Sequence, residues 1–460
     1  MNILYLASRQ HFLGTHAGFS HSFNITRALV KKGNKVTLLI GRPKTHTSQK
    51  LSTSFSFNEN FTIHFVDWQM YRNFISYFKA MKDLKRMVKD ADIIHERYEL
   101  HGNVATFYAK MRRKPSVLEA NSPFVEEFFK KGSPLFYLFS WLRRINFKMA
   151  GRVVVQTPQL KEMFSHTIYP ERIRVVTNGA DPELLNPATI PDIRKEMERR
   201  KKEELKKEIY KWLKFFIKKW FFNKNIENGH PFSEMLFSTV SDKDVEQLLT
   251  YCRAVKGREV VLFVGSFRYW HGVVDLVNCF PQIVKERKKI KLVLIGEGEL
   301  FGKVKERVRN YQRKGLIPEN SVILTSQVSY LLLPLYLKTA DVCTAPFNFL
   351  SRYEKGKVNL FKLYDMWWSP LKIFEYMAME KPIVAPEVGS VPLYLGKDCG
   401  LTYPHGDKNA LASAILFFFE NKSQAVKTGK KAREKVIAEY SWEKKAVELM
   451  EIYKEILRER

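Results

Sequence analysis

The chain has 460 residues, of which 45% are hydrophobic, and a formal charge of +29 at pH 7. That length is too great for one core and predicts two domains of ordinary size, while the apolar content excludes a disordered chain. Charge of one sign concerns partners rather than fold, and three partners fit it: nucleic acid, an anionic membrane surface, or phosphorylated small ligands.

Cysteine spacing and hydropathy exclude further classes. The four cysteines show neither CxxC spacing nor neighbouring histidines, which argues against a zinc site and against a disulfide framework. The apolar opening MNILYLASRQ lacks a charged region and a cleavage site, so it predicts a strand rather than a signal peptide. The apolar stretch 135–142 is far shorter than the roughly 18 residues of a spanning helix. We expect a cytoplasmic protein, or one held peripherally at the inner membrane face.

A βαβ unit opens the chain. Apolar runs at Asn2–Ala7 and Asn34–Ile40 predict strands, and residues 19–32 between them predict a helix. The connecting loop carries Gly14 and Gly18, whose missing side chains let a backbone approach a ligand closely. The alternative is that these glycines only make the turn.

Five further strands follow, alternating with helical stretches, and alternation of this kind predicts a parallel sheet with ligands at the carboxyl ends of its strands. The predicted strands are 61–66, 91–95, 116–119, 152–156 and 173–177. We expect part of the polar cluster at their ends to line a cleft, the alternative for each residue being a locally satisfied loop side chain. The cluster consists of His95, Arg97, Glu99, His101, Glu119 and Asn121.

Residues 188–257 interrupt the alternation with a basic insertion. Residues 192–224 contain thirteen Lys or Arg against six Asp or Glu. One helical face carries apolar side chains and the opposite face lysines: Ile209, Trp212, Leu213, Phe216 and Trp220 against Lys211, Lys214 and Lys218. Such a helix suits an anionic lipid interface. A helix that packs its apolar face on its own domain would show the same pattern. Binding of single-stranded nucleic acid is the third alternative, although no recognised module surrounds the helix.

A second alternating region begins at the buried strand 259–265. The loop SFRYWHG follows it and carries Arg268 and His271, and a helix beginning near Gly272 aims backbone amides at an anion. Strands are predicted next at 291–296, 321–324 and 342–346.

The stretch 369–386 predicts a helix that feeds a buried strand. Ser369 and Pro370 are an N-cap and a first helical position, and residues 382–385 turn β-branched and apolar. The amides of the helix start and Lys372 favour an anion, and Glu375, one turn on, could accept two hydrogen bonds from a ribose diol. The alternative is an ordinary capped amphipathic helix with Glu375 solvated.

The segment SPLKIFEYMAMEKPIVAPEVGSVP resembles the donor site of family 4 glycosyltransferases, which are retaining enzymes of the GT-B fold. The resemblance implies an α/β chain with two Rossmann-like domains facing a central cleft. It assigns 1–187 to the acceptor domain, 258–435 to the nucleotide-sugar domain and 436–460 to a helix that returns to the first domain, with the basic helical insertion 188–257 between the domains.

The resemblance also assigns roles to residues. Glu375 would hold the nucleotide ribose, and Glu297 and the glycine-rich loop of Gly14 and Gly18 would approach substrate. The departing diphosphate would be stabilised by Arg268, His271, Lys372 and the helix start, with Ser266 and His271 at the positions of the family's arginine and lysine. The helix start consists of Ser369, Pro370 and Leu371.

Two further positions depart from the family pattern. Trp367 stands where the first motif glutamate is expected, and Asp365 could replace its contact with the sugar. No histidine follows the strand that ends at Glu119. Either Glu119 or Asn121 could take that place, or the mechanism could lack such a group.

The function implied is transfer of a hexose from a UDP-, GDP- or ADP-sugar to a glycan or polyprenyl-linked acceptor at the cytosolic membrane face. Amides and basic side chains can neutralise the phosphates, so neither a metal nor a cofactor is expected. One alternative is a nucleotide-sugar-binding protein without activity, suggested by Trp367 and by the missing histidine. A nucleic-acid-binding protein is the other, and nucleic acid is not the expected partner.

Overall fold

A computed structural model describes residues 1–11, 17–42, 54–66, 84–100, 103–220, 237, 239–349 and 365–459. The chain forms two compact units. The first contains Met1–Gly179, a segment ending at Ser369, and Tyr440–Arg460, whereas the second begins at Ala180 and resumes at Pro370–Glu439. The observed divisions at 179 and 439 differ from the sequence-based boundaries of 187 and 435. The insertion forms part of the second unit.

The first unit contains an eight-stranded sheet in the order β3-β4-β2-β1-β5-β6-β7-β8. All pairs are parallel except β3–β4, and the antiparallel β3 was not predicted. The strands are β1 (Asn2–His11), β2 (Lys35–Gly41), β3 (Ser54–Asn58), β4 (Phe61–Val66), β5 (Ile93–Arg97), β6 (Ser116–Ala120), β7 (Arg152–Val155) and β8 (Ile173–Val175).

Helices connect the parallel strands of this unit, as the alternating pattern predicts. They are α1 (Ala17–Lys31), α2 (Val104–Met111), α3 (Phe124–Phe128), α4 (Pro134–Met149) and α5 (Pro158–Ser165), and residues 84–90 are also helical. Ser133 and Thr157 cap α4 and α5 with their side-chain oxygens, and a proline follows each cap.

The second unit contains a six-stranded sheet in the order β11-β10-β9-β12-β13-β14, with every pair parallel. Its strands are β9 (Glu259–Val264), β10 (Ile290–Ile295), β11 (Val322–Thr325), β12 (Val342–Thr344), β13 (Ile383–Pro386) and β14 (Leu401–Tyr403). Numbered within the unit, this order is 3-2-1-4-5-6, which is typical of Rossmann folds. The predicted α/β class with two Rossmann-like units is therefore confirmed.

The helices of the second unit begin with those of the insertion, which come before β9. They are α6 (Ile193–Glu196), α7 (Lys202–Trp220), α8 (Asp242–Val255), α9 (Val273–Glu286), α10 (Phe301–Arg313), α11 (Leu333–Thr339), α12 (Leu371–Ala378), α13 (Val391–Leu395), α14 (Lys408–Glu420) and α15 (Lys422–Glu439). A last helix, α16 (Trp442–Arg458), lies in the first unit and packs on α1.

The apolar face of α7 is buried within the second unit. Ile209, Trp212, Leu213 and Phe216 are each at most 6% exposed. On the polar side, Lys202 and Lys206 pair with Glu246 of α8. These side chains therefore pack on their own domain, as one of the alternatives predicts. The other two alternatives, that this face contacts lipid or stacks on nucleic-acid bases, are wrong because the face is covered. Among the described residues, no helix combines the length and the apolar character needed to cross a bilayer.

Candidate functional site

The second sheet changes direction between β9 and β12, where the strand order reverses. In open α/β sheets, ligands bind at the carboxyl ends of the strands at such a point. The loops after the two strands meet there, because His271 forms an isolated parallel bridge with Asn348. The amide of Asn348 also donates to the carbonyl of Trp270 at 3.2 Å.

Two glycines allow other groups to approach the backbone closely at this point. Gly272 has φ +68°, and a Cβ there would lie 1.6 Å from the carbonyl oxygen of Pro346. Gly265, directly after β9, has φ +152°, and a Cβ there would lie 2.5 Å from Nζ of Lys372. The missing side chain of Gly265 thus leaves the space that the lysine ammonium occupies.

Lys372 and His271 form the centre of the site. Lys372 is buried, and its Nζ lies 3.2 Å from Nδ1 of His271 and 4.4 Å from the ring centre of Phe263. Burial lowers the pKa of Lys372 to about 7. Burial, followed by the charges of Lys372 and Arg268, lowers the pKa of His271 well below its ordinary range. At neutral pH the histidine is therefore uncharged. The charge of Glu375 opposes the effect of burial on Lys372 only in part, and a ligand phosphate would stabilise the ammonium further.

Glu375 lies one helical turn beyond Lys372 on α12, and it is also buried. The hydroxyl of Tyr330 donates to Oε1 of Glu375 at 3.2 Å. Burial raises the pKa of Glu375 to about 7, against the opposing effects of Tyr330 and Lys372. Sequence reasoning missed Tyr330, although its position between β11 and α11, on the carboxyl side of the sheet, could have indicated it.

The remaining predicted residues of this unit lie around that centre. Ser266 Oγ is 3.5 Å from Nε2 of His271. Arg268 is exposed, and its guanidinium lies 5.1 Å from the ring centre of Trp270. The Glu297 side chain is exposed, and its backbone carbonyl accepts from the amide of Phe267 at 2.8 Å. Leu371 is buried at the helix start.

The predicted cap of α12 is wrong. The N-cap position is Pro370, with no side-chain cap, and helix geometry begins at Leu371. Ser369 precedes the cap because other groups use its polar atoms: its Oγ accepts from the amide of Asn178 and its carbonyl from the Asn178 side chain. The first amides of α12 are thus left without a capping side chain.

Glu119, which the sequence offers as a contact for the sugar, is enclosed by side chains of the first unit. Its side chain is 3% exposed, and five neighbouring side chains contact its oxygens. The Oε2 atom accepts from the Tyr5 hydroxyl at 2.8 Å, and Oε1 lies 2.9 Å from His21 Nε2 and 3.3 Å from Arg97 Nη1. The other two neighbours are His95 and Gln156.

Electrostatics agree with an enclosed, ionised carboxylate at Glu119. Burial alone would raise the pKa of Glu119, but His21, Arg97 and hydrogen bonds from His21 and His95 hold it well below its ordinary range. Burial also lowers the pKa of His95. These polar residues at the strand ends therefore satisfy one another inside the unit.

The other predicted residues of the first unit have mixed outcomes. Asn121, partly buried, lies just past the end of β6. Gly18 belongs to the first turn of α1 rather than to the loop before it, and Gly14 and His101 lie outside the described residues. Trp367 is buried in an apolar cluster, and its carbonyl accepts from the Thr157 hydroxyl at 2.6 Å. A glutamate at that position would be enclosed by apolar side chains.

These features define a class of site. A buried cation, uncapped helix amides and a carboxylate acceptor lie together at the switch point of a Rossmann-like sheet, which suits a phosphorylated ligand that carries hydroxyl groups. Within the ranges given above, no three His, Cys, Asp or Glu side chains are grouped as metal ligands would be.

Comparison with known proteins agrees with this class. The family model described as "Glycosyl transferases group 1" matches residues 258–421, and the one described as "Glycosyltransferase Family 4" matches residues 20–184. Together the two matches span most of the chain. The chain belongs to the family 4 glycosyltransferases.

Individual relatives are distant. N-acetyl-alpha-D-glucosaminyl L-malate synthase of Bacillus anthracis is 24% identical over 238 residues, which are 52% of this chain and 55% of that protein. The chain spans about half the length of the curated relatives that it matches.

Solved structures show the fold. Sucrose-phosphate synthase from Thermosynechococcus elongatus matches with a TM-score of 0.63 at 17% identity, over 100% of both chains. Anabaena HepE in complex with UDP-glucose matches with a TM-score of 0.61 at 15% identity, over 99% of this chain and 100% of that one. The fold is GT-B.

Proposed function

We propose that the chain is a retaining glycosyltransferase that moves a hexose from a nucleotide sugar to a glycan or polyprenyl-linked acceptor at the cytosolic membrane face. The observation that carries this proposal is the buried pair of Lys372 and His271 at the switch point of the second sheet, with Glu375 one turn away. The pair of Lys372 and His271 matches the diphosphate of a nucleoside diphosphate, and Glu375 matches the diol of its ribose.

The chemistry follows from charge. As the glycosidic bond to the donor breaks, negative charge builds up on the departing diphosphate while the sugar becomes cation-like. Lys372 and the amides that begin α12 are fixed before the reaction, so they stabilise that charge without reorganising. Arg268 is exposed beside them and is placed to close on the ligand as a second cation. Glu375 holds the ribose and so fixes the register of the donor.

The base and the sugar are proposed from the relatives. HepE is described in complex with UDP, with UDP and glucose, and with UDP-glucose. UDP-glucose is therefore the first donor to test, followed by GDP- and ADP-sugars. A thermal-shift screen of these donors identifies the base, since a ligand that binds only the folded protein raises its melting temperature.

The test of activity is release of nucleoside diphosphate from the best donor when membrane lipid extract is supplied as acceptor, with the anomeric configuration of the product read by NMR. Release with retained configuration is the expected result. Binding without release would favour the inactive nucleotide-sugar-binding alternative. An inverted product would contradict the retaining assignment.

Glu375→Gln is expected to weaken donor binding about ten-fold, because a neutral amide oxygen accepts hydrogen bonds from a diol less strongly than a carboxylate does. Isothermal titration with the donor found in the screen measures the change. Tyr330→Phe is the matched control. It removes only the hydroxyl that orients Glu375 and should cost about three-fold. If Glu375→Gln and the unmodified protein bound the donor with equal affinity, Glu375 would not contact the donor.

The affinity for a nucleotide sugar is expected to be bell-shaped in pH, with its maximum near 7. The pKa of Lys372 is about 7, so its charge is lost as pH rises, and binding weakens by up to ten-fold per pH unit. The pKa of Glu375 is also about 7, so its charge is lost as pH falls.

Two variants separate the limbs of this profile. Lys372→Met should abolish the alkaline limb, and Glu375→Gln should abolish the acid limb. A nucleotide sugar is the proper probe because its phosphodiesters keep a constant charge in this range. A flat profile for the unmodified protein from pH 6 to 9 would contradict the assignment.

A further inference from the structure

Helix α4 of the first unit exposes large apolar side chains. Tyr137 is 62% exposed, Trp141 59% and Leu138 47%. Leu135, in the first turn, is 51% exposed. This is the same stretch whose hydropathy stood out in the sequence although it is too short to span a bilayer.

The opposite side of α4 fixes the helix on its unit. Arg143, Asn146 and Phe147 are buried, and Phe147 packs edge-on against Phe164 of α5. Arg143 donates to Glu126 at 2.6 Å. Tyr137, Leu138 and Trp141 point away from this side by helical spacing, so the packing of the unit does not account for them.

Basic residues continue the same face. Arg144 lies three residues after Trp141, Lys148 lies four residues after Arg144, and both are exposed. We call Tyr137, Leu138, Trp141, Arg144 and Lys148 the outer face of α4. Lys130 and Lys131, just before the helix, are exposed as well, and no Asp or Glu occurs between Glu127 and Glu162.

A further exposed aromatic lies on the neighbouring helix α3. Phe128 ends α3 and is 63% exposed, and its neighbour Phe129 stacks on Phe139 of α4 with ring centres 4.8 Å apart. Packed rings therefore hold α3 against α4.

We propose that the outer face of α4 docks on an anionic lipid surface. Aromatic side chains with polar edges suit the boundary between headgroups and acyl chains, and the basic groups on the same face are attracted to anionic headgroups. Charge selects lipid over a second copy of the chain, because two such faces would bring like charges together. The inference rests on the membrane contact included in the proposed function, and it assigns that contact to α4 instead of α7.

Co-sedimentation of the full chain with vesicles tests this surface. Binding should be strong to vesicles containing phosphatidylglycerol and weak to phosphatidylcholine alone. The double variant Leu138→Ser/Trp141→Ser should lose most of the binding. Arg144→Gln/Lys148→Gln should weaken it about five-fold per charge at low salt and have little effect at high salt.

Phe215→Ser is the matched control. Phe215 is a 51% exposed aromatic among the lysines of α7, so it carries the competing assignment, and its replacement should leave vesicle binding unchanged. Equal binding of the Leu138→Ser/Trp141→Ser variant, loss of binding in Phe215→Ser, or no binding by the unmodified chain would overturn the proposal. So would a dimer in solution that the α4 double variant dissociates.

A measurement of nucleotide binding distinguishes failure of the lipid-surface proposal from failure of the proposed function. The α4 double variant should bind the nucleotide sugar as tightly as the unmodified chain, which also shows that its second unit is folded. Vesicle binding without any nucleotide binding would contradict the proposed glycosyltransferase function but would still support the lipid-binding surface on α4.

Discussion

Lys372→Met is expected to lower kcat/KM for donor turnover by about 10²–10³-fold, the range seen when one fixed donor to a developing negative charge is removed. Lys372 is the buried cation of the site, and the exposed Arg268 cannot replace it because water screens its charge. Steady-state release of nucleoside diphosphate measures the loss.

The same substitution should not destabilise the unliganded protein. Burial lowers the pKa of Lys372 to about 7, which means that the folded state disfavours its charge. Methionine has a similar length and would lie against the Phe263 and Phe347 rings, which now face the ammonium at 4.4 and 5.3 Å. We expect an equal or higher melting temperature, as is common where a site stores unfavourable charge for function.

Lys381→Met is the matched control for Lys372→Met. Lys381 also belongs to the second unit, and burial lowers its pKa to about 8. Its ammonium is bound internally, however, donating to the carbonyls of Lys338 and Ala340 at 3.0 and 2.7 Å. Its loss should lower the melting temperature while leaving kcat/KM within about three-fold. Activity retained by Lys372→Met, or lost only in proportion to unfolded protein, would contradict the role of Lys372.

Much of the fold was predictable because both sheets follow a simple local rule. Apolar runs alternate with helical stretches, and this alternation leads to parallel sheets in a Rossmann-like order. The strand β3 escaped prediction because its residues, SFSFN, form no continuous apolar run. Its partner β4 was predicted with its observed bounds.

The anion side of the site was also predictable from local sequence. Lys372 and Glu375 share one helix, so their spacing alone brings them to one region. The start of that helix was misplaced because a contact with Asn178, far away in the sequence, uses the polar atoms of Ser369. A local cap rule cannot anticipate such a competitor.

Burial decided the remaining cases. The apolar face of α7 has a pattern that fits both a lipid interface and a protein core, and only the packed structure distinguishes the two. Glu119 stands at the end of a strand, where ligands often bind, yet it faces the interior. Its partners Tyr5, Arg97 and His95 come from two neighbouring strands, so the enclosed cluster is visible only once the strand order is known.

Glu119→Gln is expected to destabilise the first unit by about 3–5 kcal/mol at pH 7, because it leaves the buried Arg97 without its counter-charge. The folded-state pKa of Glu119 lies below its unfolded value. Its contribution is therefore fully present above the unfolded pKa and is lost as pH falls through the folded pKa. The difference between Glu119→Gln and the unmodified chain should accordingly shrink in acid.

Glu96→Gln is the control with the opposite sign. Glu96 is a buried carboxylate on the adjacent strand β5, and it accepts hydrogen bonds from the amide and hydroxyl of Thr106. Burial raises its pKa to about 7, so its contribution to stability falls as pH rises from the unfolded value to about 7. A neutral glutamine at this position should be tolerated at pH 7 and above.

Hydrogen exchange of the amides of β5 and β6 is the right measurement, because two units need not unfold in one transition. Protection there should fall in Glu119→Gln, stay near normal in Glu96→Gln, and recover in part when Arg97→Met is added to Glu119→Gln, since the second change removes the unpaired cation. Equal protection in the two glutamine variants would show that the charge of Glu119 does not stabilise the unit.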